Sequence, residues 1–474
     1  MGTSTRGAPR AGIQSNYHAL VTVQKCRREF RHFVAARTHP TMNVAVQIFR
    51  RALLLLAASS SIVPAEAQQS ASTGNLVDSL TRIPSLTTDA AWAVLGRRNL
   101  PIIETLPGRR DSVAVTFVWR GDSATRNVVV VSPITLVDFA GNILRRLGTT
   151  DIWYRTIVLP VDARFMYRFA PNDNLIPFDR DTNVFARMQT MQRDPGNPKV
   201  FDYGAFGSMS ILELPAAPSD SLIRRRPDVP GGTLAKRSVR SEVLGETRTV
   251  WIYTPPGYDP RASKRYPVVV LTDGESYQAL IPVPTILDNL IAQRSIPPVI
   301  ALLIDTPNQT RSRDLDCNPE WDRFLTREAI PWLDGHFHTT RDAPHRVVGG
   351  YSLGGLAAMC TALRHPDVFG SVIAQSGSFY RAPAGESPEW VARQAATQAR
   401  LPLRVYLSIG RYETSAIPSA DPSMLTASRH LRDVLVARNI LVSYMEFSSG
   451  HEHVAWRATI GDALVKTLAP AHEH

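Results

Sequence analysis

Acyl transfer needs a nucleophile held clear of its own backbone, and one stretch of this chain is suited to that. Gly350-Tyr351-Ser352-Leu353-Gly354 fits G-x-S-x-G, the pattern in which a serine sits on a sharp strand-to-helix turn. Glycines two before and two after the serine remove side chains that would collide in so tight a corner. The apolar pair Val347-Val348 ahead of it reads as a strand, and 356–363 behind it as a helix. That helix would aim its free N–H groups at the serine and favour developing negative charge. A Gly-rich turn without chemistry shows the same five letters, but it does not require that strand and helix around them.

Such a serine needs a base and an acid. Gly410-Arg411-Tyr412-Glu413 follows the apolar run 403–409, and Gly450-His451-Glu452-His453 follows 442–447. In the order Ser352, Glu413, His451, the histidine would take the serine proton and return it to the leaving group. Glu413 would fix the imidazole tautomer and offset its transient charge. His453 is a second candidate base and Asp421 a second candidate acid, while Glu446 is expected to face out from its strand. His451-x-His453 resembles half a metal site, yet no H-E-x-x-H or Cys cluster completes it, so neither metal nor cofactor is expected. The oxyanion needs two N–H donors. Leu353 supplies one, and Gly274 or Glu275, after an earlier strand, the other.

These groups must be carried by strands that end at one place. Over 233–470, β-like runs at 249–253, 267–272, 299–305, 371–375, 403–409 and 442–447 alternate with helical patterns, the first run reading as an edge strand. Such alternation implies a mostly parallel sheet with helices on both faces and the site at the carboxyl ends of the strands. With nucleophile, acid and histidine in that chain order, the expected fold is α/β, an α/β-hydrolase domain. Ahead of it, 74–216 carries short β runs at 113–118, 128–131, 153–159, 165–169 and 209–214, after one short leading helix over 76–96. These predict a β-sandwich. The Pro- and Arg-rich stretch 217–232 reads as a linker.

The N-terminus sets the compartment. Residues 42–67 read as a signal peptide: Arg50-Arg51, an apolar core from Ala52, and Ala65-Glu66-Ala67 before Gln68. The apolar run 52–63 is too short to span a bilayer, so no stable membrane insertion is expected. Residues 1–41 read as an over-called extension, and the protein as exported, periplasmic or secreted. The formal net charge of +11 is largely theirs: 1–67 hold nine Lys+Arg and two Asp+Glu, which leaves +4 on the remainder. A polybasic nucleic-acid binder is therefore not supported. Of the cysteines, Cys26 would be removed; Cys360 is expected as a buried free thiol, with a bridge to Cys317 as the alternative.

The chain resembles the enterochelin esterase family, within the wider esterase D-like group. In the front half this rests on Val115-Thr116-Phe117-Val118-Trp119-Arg120, Asp151-Ile152-Trp153-Tyr154-Arg155-Thr156 and Asp194-Pro195-Gly196-Asn197-Pro198. In the back half it rests on Leu271-Thr272-Asp273-Gly274-Glu275, Arg311-Ser312-Arg313-Asp314, the serine elbow and Gly450-His451-Glu452-His453-Val454-Ala455-Trp456-Arg457. The resemblance implies an immunoglobulin-like first domain, then an α/β-hydrolase domain that hydrolyses ester bonds of a cyclic tri-catecholate siderophore. It implies Ser352, His451 and Glu413 as nucleophile, base and acid. Arg311 and Arg313 could then meet an anionic, ferric substrate, with Tyr351 and Trp456 as further candidate substrate contacts. The hydrolase half alone is similar to feruloyl and acetyl-xylan esterases, which keeps a carbohydrate esterase open. A catalytically silent siderophore- or glycan-binding protein is the remaining reading, and such a protein has no need of all three triad residues.

Overall fold

The computed structural model describes residues 76–204, 207–383, 385–398, 401–414 and 422–468. The expected extension and signal peptide, and Asp421, lie outside the described residues.

The front half opens with two short helices, Leu76–Thr81 and Thr88–Leu95, where one was expected. Pro84 and the left-handed Ser85 (φ 56°) separate them, since proline lacks the N–H that a continuous helix needs. Strands β1 (Ile102–Thr105), β2 (Ser112–Arg120), β3 (Val128–Val131), β4 (Arg145–Arg146), β5 (Ile152–Pro160), β6 (Arg164–Pro171), β7 (Val200–Asp202) and β8 (Ser208–Glu213) follow. They form two antiparallel four-stranded sheets, ordered β1-β2-β5-β4 and β3-β6-β8-β7. Val115 and Phe117 of β2 share one buried cluster with Val128 and Val130 of β3 and with Phe165, Tyr167 and Phe169 of β6, so the two sheets contribute to a common core.

The back half is an eight-stranded sheet of β9 (Thr233–Ser241), β10 (Glu246–Thr254), β11 (Val268–Thr272), β12 (Ile300–Ile304), β13 (Arg346–Tyr351), β14 (Ser371–Gln375), β15 (Arg404–Gly410) and β16 (Leu441–Phe447). Its order is β16-β15-β14-β13-β11-β12-β10-β9; β9 and β10 are antiparallel and the six others parallel. The expected edge strand β10 is thus an inner strand, and β9 is the edge. With six of its nine residues charged or hydroxylated (Thr233, Lys236, Arg237, Ser238, Arg240, Ser241), β9 gives no apolar strand signal. Charged edges of this kind discourage pairing with other chains. The central strands are continuous apolar runs such as Val268-Val269-Val270-Leu271, all fully buried, as a sheet covered on both faces requires.

A further expectation changes. Cys360 is not a free thiol: it is bonded to Cys317, with a Cα–Cα distance of 5.5 Å. The helix Asn308–Leu315, absent from the sequence reading, carries Cys317 against the helix Leu353–Arg364, so the pairing depends on a tertiary contact. By the chain-entropy argument, closing a loop of 43 residues stabilises the fold by roughly 4 kcal/mol. The linker stretch 217–232 packs against both halves: Asn289 donates to Leu222 O and Arg224 O, and Asp220 pairs with Arg164 of β6 and with Arg457. Front and back halves form one compact unit. No helix among the described residues is long and apolar enough to cross a membrane.

Candidate active site

β13 ends at Tyr351, and the helix Leu353–Arg364 starts beyond Ser352. Between them Ser352 is held at φ 56° and ψ −123°, a conformation that costs a non-glycine residue on the order of 1–3 kcal/mol. Its N–H donates to Gln375 O at 2.9 Å, which ties the corner to β14. The flanking glycines answer a need for space. A Cβ on Gly350 would lie 2.6 Å from the Gly354 carbonyl carbon, and one on Gly354 would run into Thr272 Oγ1.

The other two groups arrive at the carboxyl ends of β15 and β16. His451 Nε2 lies 2.9 Å from Ser352 Oγ, and His451 Nδ1 lies 2.7 Å from Glu413 Oε2. Glu413 is 1% exposed, whereas the His451 side chain is 27% exposed, so the chain of contacts runs from the interior to an accessible serine. The Glu413 carboxylate is itself fixed. Oε1 accepts from the Gly410 N–H at 2.8 Å and from Ser376 Oγ at 2.7 Å, while Trp456 Nε1 donates to Ser376 Oγ at 3.0 Å. Sequence reasoning gave Ser376 no role, although it follows β14 at the same sheet edge and that rule would have pointed to it.

The alternatives separate on geometry. His453 Nδ1 meets Tyr203 Oη at 3.1 Å and its buried Nε2 has no partner among the described residues. Burial pushes its imidazole down to about 4, so it stays neutral beside His451. Glu446 is taken up by Arg429, at 2.8 and 2.7 Å, and by Tyr444. His451 and His453 turn to different partners.

The residues expected at the substrate lie as follows. Arg311 makes a two-pronged pair with Asp273, at 2.7 and 2.8 Å, and sits over the Tyr351 ring, 5.6 Å from its centroid. Tyr351 is 7% exposed and stacks on Trp456 with ring centroids 4.1 Å apart. Trp456 is 4% exposed, and its ring meets His451 edge to face at 5.0 Å. These three form a packed floor under the elbow and the histidine. Burial pushes the Tyr351 phenol above its ordinary range, so it remains a neutral member of that floor. Arg313 is apart from them, paired with Glu246 and Asp314. For the oxyanion, Leu353 and Gly274 each open a helix, at Leu353–Arg364 and Gly274–Ala279, so their N–H groups lie outside the helical ladder. Glu275 is the next residue of the second helix, and the Arg311–Asp273 pair anchors that loop beside the elbow.

Comparison with known proteins identifies the family. Residues 241–467 match the family described as Putative esterase, and residues 114–222 the family described as Enterochelin esterase, N-terminal. The iron(III) enterobactin esterase of Escherichia coli (strain K12) is 27% identical over 380 residues, covering 75% of this chain and 91% of that protein. The ferric enterobactin esterase structure from Salmonella typhimurium superposes with a TM-score of 0.67 at 28% identity, covering 80% of this chain and 98% of that one. A Shigella flexneri enterobactin esterase structure, determined in the presence of enterobactin, gives 0.64 at 26% identity, with 81% and 98% covered. Two family matches in the same order as the two halves of the fold, and relatives that span nearly their whole length, place this chain in the enterochelin esterase family of carboxylester hydrolases.

Proposed function

We propose that this protein is an exported serine esterase that opens the ester bonds of an enterobactin-like catecholate trilactone, ferric or free. The observation that carries the mechanism is the continuous contact from Ser352 Oγ to His451 Nε2 at 2.9 Å and from His451 Nδ1 to Glu413 at 2.7 Å. His451 removes the Ser352 proton as Oγ attacks the ester carbonyl, and Glu413 offsets the imidazolium charge. The tetrahedral oxyanion is met by the N–H of Leu353 and by that of Gly274 or Glu275. Collapse expels the alcohol, which takes its proton from His451. Water, activated by the same histidine, then releases the acid from the acyl-enzyme. The siderophore as substrate rests on the names of the relatives described above, which are enterobactin esterases. In this reading the two front sheets, with their shared core, form the immunoglobulin-like β-sandwich that the family resemblance implies. In the same reading the signal over 42–67 sends the protein to the periplasm or beyond.

The test is chromatographic. The purified protein is given ferric enterobactin, methyl ferulate and acetylated xylan, with Ser352→Ala beside it. Linear trimer, dimer or monomer should appear with the parent and not with Ser352→Ala. Release of ferulate or acetate alone would move the protein to polysaccharide chemistry, and equal turnover by Ser352→Ala would remove the serine from its role.

A further inference from the structure

The loop that carries His451 is held by the front half of the molecule as well as by its own sheet. Arg164 N, at the start of β6, donates to Ser448 O at 2.9 Å. Two residues further along β6, the Met166 N–H donates to Glu452 Oε2 at 3.0 Å. Gly450 faces Pro133, and a Cβ on it would lie 2.5 Å from Pro133 Cβ. Val454 belongs to a buried cluster with Met166, Phe201 and Ile211. The acid loop leans the same way: the Tyr412 ring meets Phe165 edge to face at 6.2 Å, and Arg411 pairs with Asp162 at 2.7 Å.

Glu452 supplies the side-chain hydrogen bond that ties the histidine loop to β6. It adjoins His451, is 8% exposed, and also takes the Ser449 hydroxyl at 3.4 Å on its other oxygen. Nothing in the triad chemistry requires it. An acidic side chain is nonetheless buried there, at a desolvation cost that an apolar residue would avoid.

We infer that Glu452 is a positioning residue for His451: it clips the histidine loop to β6, and the front half is thereby a working part of the esterase site. The inference rests on the Ser352–His451–Glu413 reading. Burial pushes the Glu452 carboxyl up to about 8, so near neutral pH the clip is mostly uncharged and does not compete with Glu413 for the imidazolium. A misplacement of about 1 Å at a catalytic group lowers turnover by roughly 10²-fold, and that is the loss expected when the clip is cut.

The experiment measures kcat and KM on p-nitrophenyl butyrate for the full protein and its variants, each checked for fold by circular dichroism. Glu452→Ala should lower kcat about 10²-fold with KM little changed. Glu452→Gln, which keeps an acceptor for the Met166 N–H, should recover most of the loss. Gly450→Ala should push the loop off Pro133 and lower kcat, and adding Pro133→Gly, a change made wholly in the front half, should restore it. Should Glu452→Ala fail to fold, the Gly450 and Pro133 pair decides alone. Parent-like kcat in Glu452→Ala or Gly450→Ala overturns the inference, as does a loss that Pro133→Gly leaves uncorrected or an effect confined to KM. Parent-like turnover by Ser352→Ala would overturn the triad reading and this inference with it, whereas an inactive Ser352→Ala beside unaffected variants would overturn this inference alone.

Discussion

Two ionisable side chains flank the histidine, and burial moves them in opposite directions. Glu452 is raised to about 8 and His453 lowered to about 4, so near neutral pH both are largely or wholly uncharged. The one carboxylate in contact with the imidazole is then Glu413, whose oxygens are already occupied by Gly410 N, Ser376 and His451. For Glu452, whose pKa is higher folded than unfolded, the folded state keeps a proton that the unfolded state gives up. Stability from this group is therefore complete below about pH 4.5, falls as pH rises, and levels off beyond about pH 8. Glu452→Gln cannot titrate. The Tm of Glu452→Gln minus that of the parent should increase steadily from pH 5 to pH 8. A flat difference over that range would mean that the carboxyl ionises normally in the folded protein.

Among elements, the closest fit is between the serine elbow and the end of β11. Thr272 Oγ1 is buried, has no hydrogen-bond partner among the described residues, and occupies the space that a side chain at 354 would need. Gly354→Ala should therefore displace the elbow, lowering both Tm and kcat, with a destabilisation of about 1–3 kcal/mol as overpacking typically gives. Thr272→Ala removes the obstructing hydroxyl without breaking a hydrogen bond. The double variant should regain most of the Tm and turnover lost by Gly354→Ala, as thermal melts and steady-state rates would show. If it does not, the glycine is needed for some reason other than Thr272. The sequence placed this element well because glycine spacing and the flanking strand and helix are local signals. It missed β9, whose strand character comes only from pairing with β10. It also missed the helix Trp390–Thr397 and the helix Asn308–Leu315, in which every residue but Leu315 is polar or charged.

At the scale of the whole molecule, the halves are joined through buried charge. Asp220 binds Arg164, which is 1% exposed, and Arg457, each at 2.7 Å. Burial works against the Asp220 charge, but the two guanidinium groups outweigh it and hold the carboxyl below its ordinary range. Asp220→Ala would leave both cations buried without this partner and should cost about 3–5 kcal/mol, read as a lower denaturant midpoint. A shift below 1 kcal/mol would mean that solvent or other partners satisfy them. The sequence by itself determined the order of halves, the strands of the parallel sheet and the positions of Ser352, Glu413 and His451, because each follows an apolar run at a strand end and the sheet collects those ends on one edge. Only the tertiary structure decided that His451 rather than His453 meets the serine, that Arg311 is spent on Asp273, that Cys317 and Cys360 pair, and that β6 reaches the histidine loop. Those outcomes depend on which distant surfaces meet and on how much water is excluded where they do. A local pattern of residue types carries neither.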